Sequence, residues 1–209
     1  MWISFFNGNG VGDVVMLTNG NGNRSNMINE TKKNVTVIKD DKLDEVVAVN
    51  LFGVSQELGI QDQVGALKLD DNQAKYINQI ITDAGFEFAL DIDLSDKFVV
   101  GHVEECVPHE DSNHLFVTQT NIGDETVQIV CGAQNITKNL NVLVAKPGAM
   151  MPSGMMIWPG ELRGVKSEGM ICSTAELGLE QIENYPGIWE LKSEFEPGTP
   201  LEKVIEAYD

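Results

Sequence analysis

From Lys97 onward the chain is interrupted by Gly, Pro or Asn about every ten residues, and between the breaks lie short runs rich in β-branched and aromatic side chains. The runs are KFVVGHVEECV, HLFVTQTNIG, ETVQIVCG, NVLVAKPGAMM, MIWPGELRG and GIWELKSEF. Turn residues at that spacing predict a small antiparallel sandwich or barrel.

The first half reads differently. In DDNQAKYINQIITDAGF, Ala74, Ile77, Ile80, Ile81 and Ala84 recur at the three- and four-residue spacing of one helical face. Asp70 or Asp71 is placed to cap the start, and Gly85 to take the left-handed conformation that closes the end. Before this helix, WISFF, GVGDVVMLT, NVTVIKD and EVVAVNLFG read as strands, with the Asn-Gly pairs of residues 19–22 expected to form a hairpin. The helical period is lost in FEFALDIDLSDKF. The expected organisation is therefore an α+β N-terminal domain over residues 1–95, with no activity assigned, and a β domain over 96–209. The whole chain is mainly β, and its second half suits a five-stranded barrel of the oligonucleotide-binding (OB-fold) type.

Charge bears on the partner. Fourteen basic against thirty-two acidic residues give a net charge of −18. Residues 1–96 and 97–209 each hold seven basic side chains, against fifteen and seventeen acidic ones. A phosphate backbone is repelled at long range by such a body, so composition argues against nucleic acid. No apolar run approaches the roughly 20 residues of a membrane helix, and MWISFFNGNG has none of the features of a secretory signal. A cytoplasmic location without a membrane partner is expected. Cys106, Cys131 and Cys172 form no CxxC pair and read as reduced, small apolar residues.

Catalytic and metal motifs do not assemble. GNGVGD has Asp13 where a dinucleotide-binding fingerprint needs its third glycine, and VVML continues as strand, so the segment reads as a turn. His109 and His114 are five apart in PHEDSNHL but lack a third ligand, and read as solvated loop histidines. Of the hydroxyls, only Ser153 and Ser173 are suggestive of a nucleophile, and STAE places Glu176 three residues after Ser173, the spacing of a capping box on a short helix closed by Gly178. The methionines at 150, 151, 155, 156 and 170 suit either an irregular core or an adaptable contact surface, with core favoured. No enzyme activity, metal or cofactor is expected.

Four segments carry a resemblance: FVVGHVEECVPHEDSNHL, QIVCGAQNI, VAKPGAMMPSGMMI and ELRGVKSEGMICSTAELGL. In this order they resemble the tRNA-binding domain at the N-terminus of the bacterial phenylalanyl-tRNA synthetase beta chain, which also occurs in methionyl-tRNA synthetases and in free-standing proteins. The chain as a whole is similar to the stand-alone, YtpR-like members of that family. The resemblance implies an OB-fold barrel that binds tRNA without catalysis, with LRGVKSEGMICS beside the RNA-binding face. It places the binding residues among His114, Asn135, Lys146, Arg163, Lys166, Ser167, Met170 and Ser173. Arg163 and Lys166 would neutralise phosphates, Ser167 would donate to phosphate or ribose, and Met170 would offer a platform for a base. Asn135 would either meet a base edge or hold its own turn. His114 and Glu110 stand where the family usually has lysine and proline. The competing expectation is a protein-interaction module whose acidic surface docks a basic protein. A monomer and a homodimer are both compatible with the sequence.

Overall fold

A computed structural model describes residues 1–182 and 186–208 of the chain. It is mainly β and separates into two compact units, Met1–Ser95 and Asp96–Asp209.

The first unit comprises β1 (Ile3–Asn7), α1 (Gly8–Val11), β2 (Val14–Thr18), β3 (Met27–Lys32), β4 (Val35–Asp40), β5 (Glu45–Phe52), α2 (Ser55–Leu58), β6 (Val64–Ala66) and α3 (Asp71–Asp83). The six strands form one antiparallel sheet in the order β3-β4-β5-β2-β1-β6. Alternate residues of β2, β4 and β5, including Val15, Leu17, Val35, Val37, Val49 and Leu51, share one core with Ile77 and Ile81 of α3. Each such side chain removed from water stabilises the unit by about 1.5–3 kcal/mol. The helical stripe and the period-two strands thus cover each other.

Both ends of α3 close as its sequence predicts. Asp70 accepts from the Gln73 amide while the Gln73 side chain accepts from the Asp70 amide. At the other end, Gly85 N–H donates to Thr82 and Phe86 N–H to Ile81, a Schellman arrangement. Lys32 and Lys33 add charge to this end by donating to the carbonyls of Gly85 and Asp83.

GNGVGD is a turn, folded as the single-turn α1 with the Asn7 side chain accepting from Gly10 N–H. The Asn-Gly pairs of 19–22 do not form the expected hairpin. β2 pairs with β1 and β5, so the chain after Thr18 must cross to the far edge of the sheet, where β3 begins. Asp40 holds that crossing: its buried carboxylate accepts from the amides of Asn23, Lys42 and Leu43. These bonds, with Asn23 first, hold its pKa below the usual value against the opposing effect of burial.

The second unit comprises β7 (Phe98–Pro108), β8 (Phe116–Asn121), β9 (Thr126–Cys131), β10 (Asn141–Ala145), β11 (Gly160–Leu162), β12 (Val165–Ser167), β13 (Met170–Cys172), β14 (Glu190–Leu191) and α4 (Leu201–Glu206). Five strands run in the order β13-β10-β7-β8-β9, with β14 added to β10. β7 pairs through its first residues with β10 and through its later ones with β8, and its register shifts between Val103 and Glu105. A bulge there bends the strand and lets it serve both partners. The sheet curls into a half-barrel. Its turn around β7 is tight at Gly101, where a Cβ would lie 2.7 Å from methyl carbons of both Thr120 and Val144.

β10 is buried on both faces. Val142 and Val144 join the inside of the half-barrel with Val103, Ile129 and Ile171. Leu143 and Ala145 join a second core on its outside, built from Met151, Leu177, Trp189 and Val204 among others. The unbroken apolar run VLVA carried that information, since a strand with one wet face alternates.

Candidate nucleic-acid interface

The segment LRGVKSEGMICS folds into a hairpin followed by a strand. β11 and β12 pair with Leu162 opposite Val165, leaving Arg163 and Gly164 as a two-residue turn. Their φ values are 49° and 79°, as a type I′ turn requires. Glycine adopts this conformation freely; arginine does not. The Arg163 guanidinium steadies the turn by donating from Nη1 to the Asp111 carbonyl at 2.7 Å.

The root of the hairpin is held on β9. Glu168 N–H donates to the Gln128 carbonyl at 2.8 Å, and Gln128 Nε2 donates to the Lys166 carbonyl at 2.8 Å. Ser167 completes the closure. Its hydroxyl accepts from Val130 N–H and donates to the Gly169 carbonyl, and the residue is buried. Ser167, expected from the resemblance to donate to phosphate, here has its hydroxyl proton on the Gly169 carbonyl and its side chain shielded from solvent.

The tip of the hairpin meets the β7–β8 loop. His109, read from sequence as solvated, is only 3% exposed. Its Nδ1 accepts from Asp111 N–H at 3.0 Å, which leaves Nε2 as the protonated nitrogen donating to the Leu162 carbonyl at 3.1 Å. The neutral ring thus pins loop to hairpin. Nothing in the local spacing of PHEDSNHL announced this, because its partner lies 53 residues further on. His114 is exposed at the same loop, beside Ser112 and Asn113.

Arg163 and Lys166 stand on the hairpin and His114 on the loop that its tip touches, while Lys146 lies toward the hairpin's root, in a hollow with Pro159 and Glu168. Arg163 and Lys166 are exposed, and among the described residues neither takes part in an ion pair. Acidic residues lie close in the chain, with Glu161 directly opposite Lys166 in the hairpin register. Lys146 is 15% exposed, faces Asp124 at 3.8 Å, and shares its hollow with Glu125 and Glu168. A cation so surrounded is poorly placed for phosphate.

Met170 and Ser173 lie along a separate groove of about 480 Å³, together with residues 130–133, Glu176, Gly187 and Ile188. Ser173 and Glu176 form the predicted capping box: Ser173 N–H and Oγ–H both reach Glu176 Oε2 at 2.7 Å, and Glu176 N–H returns to Ser173 Oγ at 3.2 Å. The segment it opens is a tight turn rather than the expected short helix. Gly178 and Leu179 N–H close it onto Ala175 and Thr174 before a second helical turn is made. Asn135 does more than hold its own turn. It exchanges hydrogen bonds with both backbone groups of Ile188 and donates to Glu190 Oε1 at 2.9 Å, so no free amide is left for a base edge.

The cysteines contribute no reactive thiol here. Burial pushes Cys172 up to about 12, helped by the negative charge of Glu176, and burial likewise raises Cys131 and Cys106. Among the described residues, no cluster of three or more His, Cys, Asp or Glu is arranged to hold a metal ion, and no helix is long and apolar enough to cross a membrane.

Comparison with known proteins follows the same division of the chain. Residues 98–200 match the family model described as "Putative tRNA binding domain", and residues 22–93 match a domain of unknown function. The chain is 40% identical over 195 residues to "Putative tRNA-binding protein YtpR" of Bacillus subtilis, covering 93% of this chain and 96% of that protein. It is 47% identical over 116 residues to the phenylalanine–tRNA ligase beta subunit of Oceanobacillus iheyensis, covering 56% of this chain but 14% of the subunit. The Campylobacter jejuni beta subunit is 46% identical over 162 residues, 77% of this chain and 18% of that one.

Proposed function

Since this chain belongs to the YtpR family of tRNA-binding proteins, we propose that it binds tRNA without catalysis, through an OB-fold half-barrel whose β11–β12 hairpin presents Arg163 and Lys166 to the phosphate backbone. The observation that carries the reading is the pair of exposed cations, free of ion pairs among the described residues, on an arm pinned at tip and root. His114 stands on the loop that the arm touches and extends this surface.

A net charge of −18 does not forbid such contacts. At physiological ionic strength the Debye length is about 8 Å, so the distant carboxylates are screened while a guanidinium or ammonium touching phosphate is not. Two such contacts support a weak complex, with Kd on the order of 10⁻⁶ to 10⁻⁴ M, the range of sequence-independent phosphate binding. The remaining specificity comes from shape and from unpaired bases.

Equilibrium binding of unfractionated tRNA at low salt tests the reading. The native protein gives a saturable complex, the double variant Arg163→Glu, Lys166→Glu loses at least tenfold in affinity, and Lys166→Gln alone, which leaves the Arg163–Asp111 bond in place, loses affinity at an unchanged melting temperature. A native protein that binds no tRNA, or a variant that binds as well as the parent, overturns it. Retention of a basic protein partner by that variant would instead support the acidic surface as a docking module.

A further inference from the structure

Among the described residues, the groove between the end of β9, β13 and the Gly187–Ile188 segment has no basic residue in its lining. Met170 and Ala133 are its partly exposed apolar side chains, with Ile171 and Ile188 buried beneath, and its polar side chains are Ser173 and Glu176. Ser173 is fully used by the capping box, as is Glu176 Oε2. Glu176 Oε1 has no hydrogen-bond partner among the described residues, so the groove offers apolar surface and one anionic acceptor.

We propose that this groove takes a single unstacked guanine from the bound RNA, held against Met170 with its N1–H and N2 amino group directed at the free oxygen of Glu176. The inference rests on the tRNA-binding reading and adds the site's base preference. A phosphate is repelled by the carboxylate. A nucleobase is not, because its faces are apolar and its edge carries the donors. Among the four bases, guanine sets two adjacent donors on its pairing edge. Adenine and cytosine carry one exocyclic amino group beside a ring acceptor, and uracil flanks its single N–H with two carbonyl oxygens that an anionic acceptor repels. The dimensions agree: about 480 Å³ lies within the size range of small-molecule pockets.

The capping box makes the test sharp. In Glu176→Gln, the amide oxygen must replace Oε2, because Ser173 N–H and Oγ–H both donate there. The amide nitrogen then takes the position of Oε1, turning the groove's acceptor into a donor while the cap is kept. RNA hairpins with one stem and a uridine loop, carrying guanine, inosine, adenine or uracil at a single central position, are competed against labelled tRNA. With the native protein, the guanine loop competes at least tenfold better than the uracil loop, and inosine, lacking the N2 amino group, falls between. With Glu176→Gln the order inverts toward uracil, at unchanged melting temperature. Equal competition by all loops, in a protein that still binds tRNA, overturns the guanine site alone, as does a Glu176→Gln variant that keeps the native order. Absence of any tRNA complex overturns both the binding reading and the site.

Discussion

The two units carry the same number of basic side chains, seven each, within an excess of acid, yet they place them differently. In the first, Lys32 and Lys33 reach back to the carbonyls that end α3, and Lys32 also lies 4.4 Å over the Phe86 ring. Those cations serve the fold. In the second, buried uncharged groups do most of the corresponding work: His109 and Ser167 fix the β11–β12 hairpin and Asn135 ties down the Ile188 segment, while Arg163 gives the fold a single bond, to the Asp111 carbonyl, and Lys166 none that involves its ammonium. Arg163 and Lys166 are left exposed on the arm. Net charge is nearly blind to this difference. What decides whether an acidic protein can hold a polyanion is which cations the fold has already used.

The comparison breaks most visibly at His109. His109→Ala leaves the Asp111 amide and the Leu162 carbonyl without their partner, and costs the second unit about 2–4 kcal/mol, read by chemical denaturation. Because the hairpin loses its tip contact, tRNA affinity falls with stability, although neither cation has changed. The complementary experiment is Lys32→Glu with Lys33→Glu. Removing two favourable charges from the end of α3 and adding two unfavourable ones costs the first unit roughly 1–2 kcal/mol. RNA affinity stays within about twofold of the parent, since those lysines are not the ones offered to phosphate. A large loss of RNA binding in this variant would erase the distinction between the units.

Acid sharpens the same contrast. Asp40 has its folded pKa lowered by amide hydrogen bonds, so it stabilises the fold above the unfolded value near 3.8 and loses that contribution as pH falls through the lower folded value. A pH titration of thermal stability shows the first unit weakening on acidification below about pH 4, and Asp40→Asn removes that part of the dependence. The smallest effect is at the thiols. With Cys172 pushed up to about 12 and Cys131 also raised by burial, both stay protonated near neutrality. A maleimide at pH 8 labels the half-buried Cys106 first, and reaches the other two only on unfolding.

Much of the fold was legible because it rests on local rules. The stripe of Ile77 and Ile81, the Asp70 cap, the alternation in NVTVIKD and EVVAVNLFG, and the Ser173–Glu176 box are all stated within a few residues. β3 was not, because MINETK is exposed at every residue but Lys32 and lies at the edge of the sheet, so no buried alternation marks it. The Asn19–Gly22 segment misled for a related reason. Asn-Gly favours a tight turn, but the strand that pairs with β2 begins at Glu45. The interface was legible only in part. The sequence singles out Arg163 and Lys166 as charges, whereas the burial of Ser167, the pin at His109 and the engagement of Asn135 all depend on partners 37 to 53 residues away. The surroundings of Lys146 were hidden for the same reason: the acids around it, Asp124, Glu125 and Glu168, come from other turns of the chain.

The claim that two cations on one hairpin carry the electrostatic part of RNA binding is tested most directly by the salt dependence of tRNA affinity. Each phosphate neutralised contributes about 0.7 to 0.9 to the slope of log K against log salt. The native protein is expected to give a slope of roughly −1.4 to −1.8, and Arg163→Glu, Lys166→Glu a slope near zero over the range where binding is still measurable. A steep native slope that survives the double substitution would place the phosphate contacts elsewhere and contradict the account.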